Sequence, residues 1–352
     1  MRHMKRIAIS VLIFILLLGS TGCKTAPRNP VKDLAIAGST FAEPLYVKQF
    51  DTWHQKTQVK ALYRTLSPSG TLRALQDRTI DIGATDLLLS PEEQARLPAS
   101  LLEIPTCLDA VAVCANLPGN PVLRMDAPLI SAIFRGDVKT WNDTRIAALN
   151  PMLKLPGTPV IVIHRADGSG TSDIFTTYLA AADQTWREKV GAGQLVMWRT
   201  GVGVKGNAAM AAMIRQTVGS IGYLEYTSSV QSNLTFVALR NRSGAFIPPS
   251  VASIQAAVPA DLTADLQGTL LDRPGATSYP IISFTWLVFY KDQAYDGRSH
   301  EQAVVMHDLI SWLLGDGQSL ALPLQYASLP DSVRKAARNI LAQLTWQGKP
   351  IK

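Results

Sequence analysis

The sequence has few cysteines, few histidines and few charged residues. Its 352 residues include 3 cysteines and 5 histidines, and only 17% are charged, whereas 47% are hydrophobic. The cysteines and histidines do not show the short spacing of a structural zinc site, so we expect no bound metal. So apolar a chain can bury a large core, which excludes disorder of the whole, and its length favours two domains.

The sequence also lacks the motifs of several enzyme classes. It contains no Walker lysine motif, no G-x-S-x-G elbow and no H-E-x-x-H helix. The run from Gly201 to Gly206 matches the G-x-G-x-x-G dinucleotide pattern, but Lys205 lies inside it and no second half of such a domain is evident. Basic residues do not alternate with aromatic ones in any stripe, which argues against nucleic-acid binding.

Two of the three cysteines, Cys107 and Cys114, lie in one extended run. Seven extended residues span roughly 23 Å, whereas a disulfide needs Cα atoms within about 7 Å of each other. We therefore expect two small buried hydrophobic side chains. A disulfide is the alternative, for an exported protein in which this segment bends.

The N-terminal residues are typical of an export signal. Residues 1–6 carry three positive charges and no acid, residues 7–18 are apolar except for one serine, and small residues then lead to Cys23. An apolar run of about 12 residues is too short to span ~30 Å of hydrocarbon as a helix. A cleaved signal is therefore expected.

The region around Cys23 resembles a bacterial lipobox, with Cys23 as the lipidated residue. Ser20 departs from the pattern, which usually has leucine three residues before the cysteine. A plain signal peptide is the alternative. We expect a signal peptide over 1–22 and a polar, proline-broken lipoprotein tether over 23–33.

The formal net charge of +7 is partly a property of this signal. Cleavage before Cys23 removes three basic residues and no acid, which leaves 31 basic residues against 27 acidic ones, a net charge of +4. A mildly basic domain gives no further reason to expect a nucleic-acid partner.

Short apolar segments alternate with helical ones along the rest of the chain. A β-α-β-α-β order runs from a strand at Leu34 to Gly38 to a strand at Ile80 to Ala84, and the pattern restarts at Val160. This order indicates two α/β lobes with mainly parallel sheets, joined by crossovers at Thr106 to Ala115 and at the strand that begins at Tyr279. Between the restart and the second crossover we predict a strand at Leu195 to Trp198 and a loop at Gly201 to Asn207.

Three turns share one composition. Each follows a strand, contains glycine or hydroxyl residues and precedes a helix; we call 38–41 the first turn, 67–70 the second and 167–172 the third. Helix N-termini carry free N–H groups and partial positive charge, glycine lets an anion approach, and Ser or Thr adds donors. Together the turns predict an oxyanion site. Ordinary helix capping is the alternative for each.

Arg165 lies just before the third turn, one residue past a predicted strand. Its planar donor fork suits phosphate or carboxylate, and Asp167 is placed to hold the guanidinium. The alternative is an exposed surface ion pair, which contributes little.

In order and spacing, these and further segments resemble the periplasmic phosphate-binding proteins that serve the high-affinity phosphate ABC transporter. The resemblance covers nearly the whole chain after the signal. The matching segments are Ala37 to Phe41, Asp81 to Asp86, Arg165 to Ser172, Gly203 to Asn207, Gly219 to Tyr226 and Tyr326 to Val333.

The resemblance implies an α/β, two-lobed periplasmic-binding-protein fold, each lobe a mainly parallel sheet flanked by helices, with the ligand in the cleft. It divides the chain into lobe 1 over 34–112 and 281–352 and lobe 2 over 113–280. It implies a non-enzymatic phosphate receptor without cofactor, at the periplasm or the outer face of the envelope, with ABC permease subunits as partners. The alternatives are an exported phosphate-ester hydrolase, for which His164 is the nearby base, and a sensor that kept the fold.

The resemblance also assigns the binding residues. Those implied to contact phosphate are Thr40, Phe41, Ser69, Asp86, Arg165, Ser169, Gly170 and Thr171, with Asp167 steadying Arg165. Asp86, as the lone carboxylate, would accept a hydrogen bond from the proton that phosphate carries and sulfate lacks. The family usually has Ser-Ser-Gly in the second turn. Pro68 replaces the first of those serines here and offers neither N–H nor hydroxyl, with Ser67 the nearest substitute.

Overall fold

The computed structural model describes residues 33–259, 262, 266 and 268–351. The expected signal peptide, Cys23 and all but the last residue of the tether lie outside this part of the chain. Among the residues described, no helix combines the length and hydropathy that crossing a bilayer requires.

The strands are β1 (Leu34–Gly38), β2 (Ala61–Thr65), β3 (Ile82–Thr85), β4 (Leu101–Asn116), β5 (Arg124–Met125), β6 (Ile161–Arg165), β7 (Val202–Val204), β8 (Ser220–Glu225), β9 (Ala238–Arg240), β10 (Phe246–Ile247), β11 (Ile282–Tyr290), β12 (Thr345–Trp346) and β13 (Lys349–Pro350). The helices are α1 (Glu43–Thr57), α2 (Pro68–Gln76), α3 (Pro91–Ala95), α4 (Ala127–Phe134), α5 (Thr144–Leu149), α6 (Gly170–Ala182), α7 (Gln184–Lys189), α8 (Gly206–Gln216), α9 (Tyr226–Gln231), α10 (Val251–Ala256), α11 (His300–Leu313) and α12 (Asp331–Leu341), with 3₁₀ turns at Asp316–Leu320 and Leu322–Leu324.

Eight strands form one mixed sheet in the order β2-β1-β3-β11-β4-β8-β6-β7. At one end β1 pairs in parallel with β2 and β3, and at the other β6 pairs in parallel with β8 and β7. Between these groups lie β11 and β4, which are antiparallel to each other and to their outer neighbours. We call β2, β1, β3 and β11 the first half-sheet and β8, β6 and β7 the second. The fold is α/β, with the two parallel groups that the sequence predicts.

The long strand β4 belongs to both half-sheets. Its stretch Leu101–Ala110 pairs with β11, and its stretch Val111–Asn116 pairs with β8. The predicted crossover therefore lies within one continuous strand. Cys107 and Cys114 on this strand are both buried and free, as expected for small hydrophobic side chains.

Aromatic side chains pack a helix against each half-sheet. On the first, Tyr46 and Phe50 of α1 pack on Tyr63 of β2, with ring centroids 5.3 and 6.1 Å apart. On the second, Phe175 of α6 stacks on Tyr223 of β8 at 4.3 Å. Such ring pairs bury large apolar areas and hold the helix starts against the carboxyl ends of the parallel strands.

The predicted strand at Leu195 to Trp198 is wrong. The Trp198 ring stacks on His164, with centroids 4.8 Å apart, and also on Tyr223 at 5.7 Å. The strand beside β6 is instead β7, which lies inside the predicted loop. The apolar residues at 195–198 resemble a strand, but Leu195 and Met197 are exposed and only Trp198 packs on aromatic rings of the second half-sheet.

Candidate functional site

The three turns surround one cavity of about 240 Å³ between the two half-sheets. They follow β1, β2 and β6, and the carboxyl ends of parallel strands lie at one edge of a sheet, where ligands of such folds bind. The cavity is lined by Ser39, Thr40, Thr65, Leu66, Ser67, Pro68, Arg165, Asp167, Gly168, Ser169 and Gly170. Turns from distant parts of the sequence therefore meet where a single small anion fits.

Arg165 supplies the positive charge of this cavity. Its side chain is 2% exposed, and its Nε and Nη2 atoms donate to the Asp167 carboxylate at 2.7 and 2.6 Å. Nη1 donates to Asn207 at 2.8 Å. Of the five guanidinium N–H groups, one on each terminal nitrogen has no acceptor among the described residues. The fork thus keeps two donors for a ligand.

The charge states of Arg165 and Asp167 support each other. Burial by itself lowers the pKa of Arg165, but Asp167 and Glu225 outweigh burial and raise it. Burial raises the pKa of Asp167, but hydrogen bonds from Arg165 and the Gly206 N–H outweigh it, so this pKa lies below its usual value. The pair is therefore fully ionised at neutral pH, and two hydrogen bonds hold the Arg165 guanidinium against Asp167.

The start of α6 adds backbone donors to the third turn. The Ser169 hydroxyl caps the helix by accepting the Ser172 N–H at 3.2 Å. The N–H groups of Gly170 and Thr171, in the first turn of the helix, have no acceptor within the described part of the chain. The Thr171 hydroxyl, by contrast, donates to Glu225 at 2.7 Å. In this structure Thr171 thus offers its N–H, and its hydroxyl is engaged elsewhere.

The first turn is linked to Asp86. The Ser39 hydroxyl donates to one oxygen of the Asp86 carboxylate, and Thr285 donates to the other at 2.9 Å. The Phe41 N–H donates to the Ser39 oxygen at 2.8 Å, so this predicted ligand group has a partner within the protein. Thr40, another predicted ligand, lines the cavity.

Asp86 itself lines an adjoining cavity of about 150 Å³, which shares Pro68 and Gly170 with the main one. Burial raises the pKa of Asp86 to about 7, although the Ser39 and Thr285 hydroxyls act to lower it. Its carboxylate packs against Gly170 so closely that a Cβ there would overlap it. The structure therefore places Asp86 beside the predicted ligand groups, with Ser39 next to it.

The second turn contributes least. Pro68 is the first residue of α2 and Ser67 caps the helix, accepting the Gly70 N–H at 3.2 Å. Ser67 and Pro68 line the cavity. Ser69, a predicted ligand, is exposed, lies outside the cavity lining, and its hydroxyl is 3.3 Å from that of Ser67. Ser67, rather than Ser69, presents a hydroxyl here.

Two further buried residues, to which the sequence analysis assigns no role, support the site. Asn207 contacts Arg165, Thr40 and Glu225, and Glu225 accepts from Asn207 and Thr171. Both lie in segments that carry the family resemblance, Gly203 to Asn207 and Gly219 to Tyr226. That coincidence was the only signal in the sequence, since their spacing alone suggests no shared contact.

The arrangement suits an oxyanion better than a metal. Its free groups are N–H donors, and among the described residues no group of three or more His, Cys, Asp or Glu side chains is arranged to hold a metal ion. Arg165 and a helix N-terminus on one side of a small cavity provide charge-assisted hydrogen bonds to several oxygens of one ligand.

Comparison with known proteins agrees with this chemistry. Residues 24–316 match the model of the PBP superfamily domain. The phosphate-binding protein PstS of Haemophilus influenzae is 32% identical over 91% of this chain and 94% of its own, and that of Pasteurella multocida is 33% identical over 84% and 86%. A solved high-affinity periplasmic phosphate-binding protein, with bound phosphate, has a TM-score of 0.69 at 17% identity, covering 87% of this chain and 93% of its own. The chain therefore belongs to the PBP superfamily and, within it, to the PstS family of phosphate-binding proteins.

Proposed function

We propose that this protein binds inorganic phosphate outside the cytoplasmic membrane and delivers it to an ABC permease for high-affinity uptake. The observation that carries the proposal is the free donor set around the cavity. Two N–H groups of Arg165 and the Gly170 N–H have no acceptor among the described residues, and both residues line one cavity of about 240 Å³. The Thr171 N–H, which also lacks an acceptor there, follows Gly170 in the first turn of the same helix. Family membership supports the same ligand.

Selectivity is proposed to rest on Asp86. When ionised, it accepts a hydrogen bond from protonated phosphate, whereas sulfate has no proton to donate and is repelled. Ser39 and Thr285 each donate to one oxygen of Asp86 in this structure, and each oxygen of an ionised carboxylate can accept one further hydrogen bond. The remaining proposed ligands are Thr40, Arg165, Ser169, Gly170 and Thr171. Phe41 and Ser69 of the predicted set are not retained, because the Phe41 N–H donates to Ser39 and the Ser69 side chain is exposed outside the cavity lining.

We further propose that the two half-sheets are the cores of the two lobes, over 34–112 with 281–352 and over 113–280. The change of β4 from β11 to β8 between Ala110 and Val111 supports a division at this place. Closure of such lobes over a ligand is a common form of domain motion. Small-angle scattering with and without phosphate tests it, and an unchanged radius of gyration would contradict it.

A non-enzymatic role is part of the proposal. His164, the base candidate of the hydrolase alternative, stacks on Trp198, and its Nδ1 is 3.1 Å from the Arg165 carbonyl. Burial lowers the pKa of His164 and holds the ring neutral. Nothing in this setting favours proton transfer to a ligand in the cavity. Phosphate-ester turnover by the purified protein would contradict this part of the proposal.

Export and lipidation at Cys23 remain proposals from the N-terminal pattern. Membrane fractionation of the Cys23→Ser variant tests them, and a variant that stays membrane-bound would contradict the anchor.

Isothermal titration calorimetry with phosphate, sulfate and arsenate tests the ligand. We expect one phosphate site per chain, similar binding of arsenate and at least a hundredfold weaker binding of sulfate. Equal affinity for sulfate would remove the proposed role of Asp86, and absence of phosphate binding would refute the proposed function.

A further inference from the structure

Asn207 makes three hydrogen bonds to three residues of the site. Its Oδ1 accepts from Nη1 of Arg165 at 2.8 Å. Its Nδ2 donates to Oγ1 of Thr40 at 3.1 Å and to a carboxylate oxygen of Glu225. The side chain is buried near the start of α8. One amide therefore joins the charged fork, a cavity hydroxyl and a buried acid.

These partners allow the amide only one orientation. An asparagine amide has an acceptor oxygen and two N–H groups, whereas Arg165 can only donate and an ionised carboxylate can only accept. Reversal of the amide would oppose N–H to N–H at Arg165 and oxygen to oxygen at Glu225. The Thr40 contact is then fixed as well, because the remaining N–H points to it.

The bond to Thr40 crosses the cleft. Thr40 follows β1 of the first half-sheet, whereas Asn207, Arg165 and Glu225 lie on or beside strands of the second. A bond between two bodies that close on a ligand forms on closure and breaks on opening. The Asn207–Thr40 bond is thus suited to hold the closed state.

Glu225 holds the Asn207 amide by accepting a hydrogen bond from its Nδ2. It is 1% exposed on β8, and its Oε1 accepts from both Asn207 and Thr171. Thr171 lies in the third turn, next to Gly170, which lines the cavity. Glu225 therefore connects Asn207 to the third turn as well as to β8.

We propose that Asn207 is a positioning residue of the anion site. Its Oδ1 orients the Arg165 guanidinium so that the two free N–H groups face the ligand, and its Nδ2 donates to Thr40 when the cleft is closed. The inference rests on the proposed function. Since the bond forms when the cleft closes, Asn207 acts on ligand release more than on capture.

The test is phosphate binding by Asn207→Ala, measured by calorimetry and by stopped-flow fluorescence. We expect the dissociation constant to rise about ten- to a hundredfold, because bonds to a charged group are lost. Most of the change should lie in the dissociation rate. Asn207→Asp, of the same size, should weaken binding at least as much, because it keeps an oxygen for Arg165 but loses both donors and faces Glu225. It provides a second test where the alanine variant folds poorly.

Asn116→Ala is the matched control. Asn116 donates at 2.9 Å to two carbonyls at the other end of α8, those of Ile214 and Arg215, and lies away from the cavity. Its loss loosens the same helix without touching the site, so phosphate affinity should change less than about threefold. An equal loss in both alanine variants would show that Asn207 only places the helix and would overturn the proposal.

A double-mutant cycle separates positioning from general damage. Lysine lacks the planar fork, so in the Arg165→Lys background Asn207→Ala should add little further loss. Fully additive losses, or an unchanged dissociation rate in Asn207→Ala, would overturn the role. Absence of phosphate binding by the wild-type protein would refute the proposed function instead, whereas tight wild-type binding with an unaffected Asn207→Ala refutes only this inference.

Discussion

The second and third turns lie on the same cavity but differ in what they offer an anion. The third has Arg165, a capped helix start and two free N–H groups, and Ser169 in it is 3% exposed. The second begins its helix with Pro68, which has no N–H, and its Ser69 faces solvent. A glycine-and-hydroxyl composition therefore does not make an anion site; buried, unpaired donors do.

Of the substitutions in the two turns, Arg165→Ala should reduce phosphate affinity the most. It removes the charged fork and leaves the Asp167 carboxylate unpaired at the cavity, where it repels an anion. We expect phosphate affinity to fall at least about a hundredfold, which corresponds to about 3 kcal/mol or more. Calorimetry measures it.

The control for this variant is Arg73→Ala on α2, the helix that follows the second turn. Arg73 pairs with Asp77 at 2.8 Å, but its side chain is 75% exposed, and such pairs contribute little. Its affinity should equal that of the wild type. A comparable loss in both variants would mean that Arg165 acts only through net charge.

Asp86 predicts a pH-dependent selectivity. Its pKa is raised to about 7 by burial, so it is ionised above that pH and accepts the proton of phosphate. Below pH 7 it is protonated and can donate to sulfate, so the preference for phosphate should narrow as the pH falls. Asp86→Asn should reduce the preference for phosphate over sulfate about tenfold at pH 8, and this preference should vary less with pH than in the wild type. A preference that keeps its pH dependence in Asp86→Asn would assign it to another group.

Two serine variants compare the turns directly. Ser169→Ala removes a buried hydroxyl and a helix cap, so we expect phosphate affinity to fall about tenfold and stability to fall by about 1 kcal/mol. Ser69→Ala should change affinity less than about twofold, because Ser69 is exposed. Calorimetry measures the affinities and thermal melts measure the stability. A larger loss of phosphate affinity in Ser69→Ala than in Ser169→Ala would mean that the second turn contributes more to binding than the third.

Pro68→Ser should strengthen phosphate binding by adding donors to the second turn. The substitution gives the second turn an N–H at the cavity wall and a hydroxyl beside it, at a helix position that accepts either residue. We expect phosphate to bind about three- to tenfold more tightly. Unchanged affinity would show that the second turn does not contact the anion.

The sequence predicted those parts of the protein that depend on local pattern. β1 and the strand end at Thr65 follow from apolar runs and turn residues, and the strand before the third turn was predicted to end at His164, one residue before β6 ends. The Asp167–Arg165 pair follows from their separation of two residues. The predicted strand at Leu195 to Trp198 is wrong: Leu195 and Met197 are exposed, the Trp198 ring stacks on His164, and β6 pairs with β7 instead.

The rest of the site depends on contacts between distant segments. Asn207 reaches Thr40 across 167 residues, and Ser39 reaches Asp86 across 47. Whether a hydroxyl is a free donor or is engaged, as at Thr171, depends on a partner that lies 54 residues away. No local pattern contains this information, which is why ligand residues could be proposed from the sequence but their free donors could not.

A crystal structure grown with phosphate would show where the anion binds. We expect one anion in the 240 Å³ cavity, within hydrogen-bond distance of both terminal nitrogens of Arg165 and of the Gly170 and Thr171 N–H groups, with fewer contacts to the second turn. An anion bound mainly by the second turn, or bound away from Arg165, would contradict this expectation.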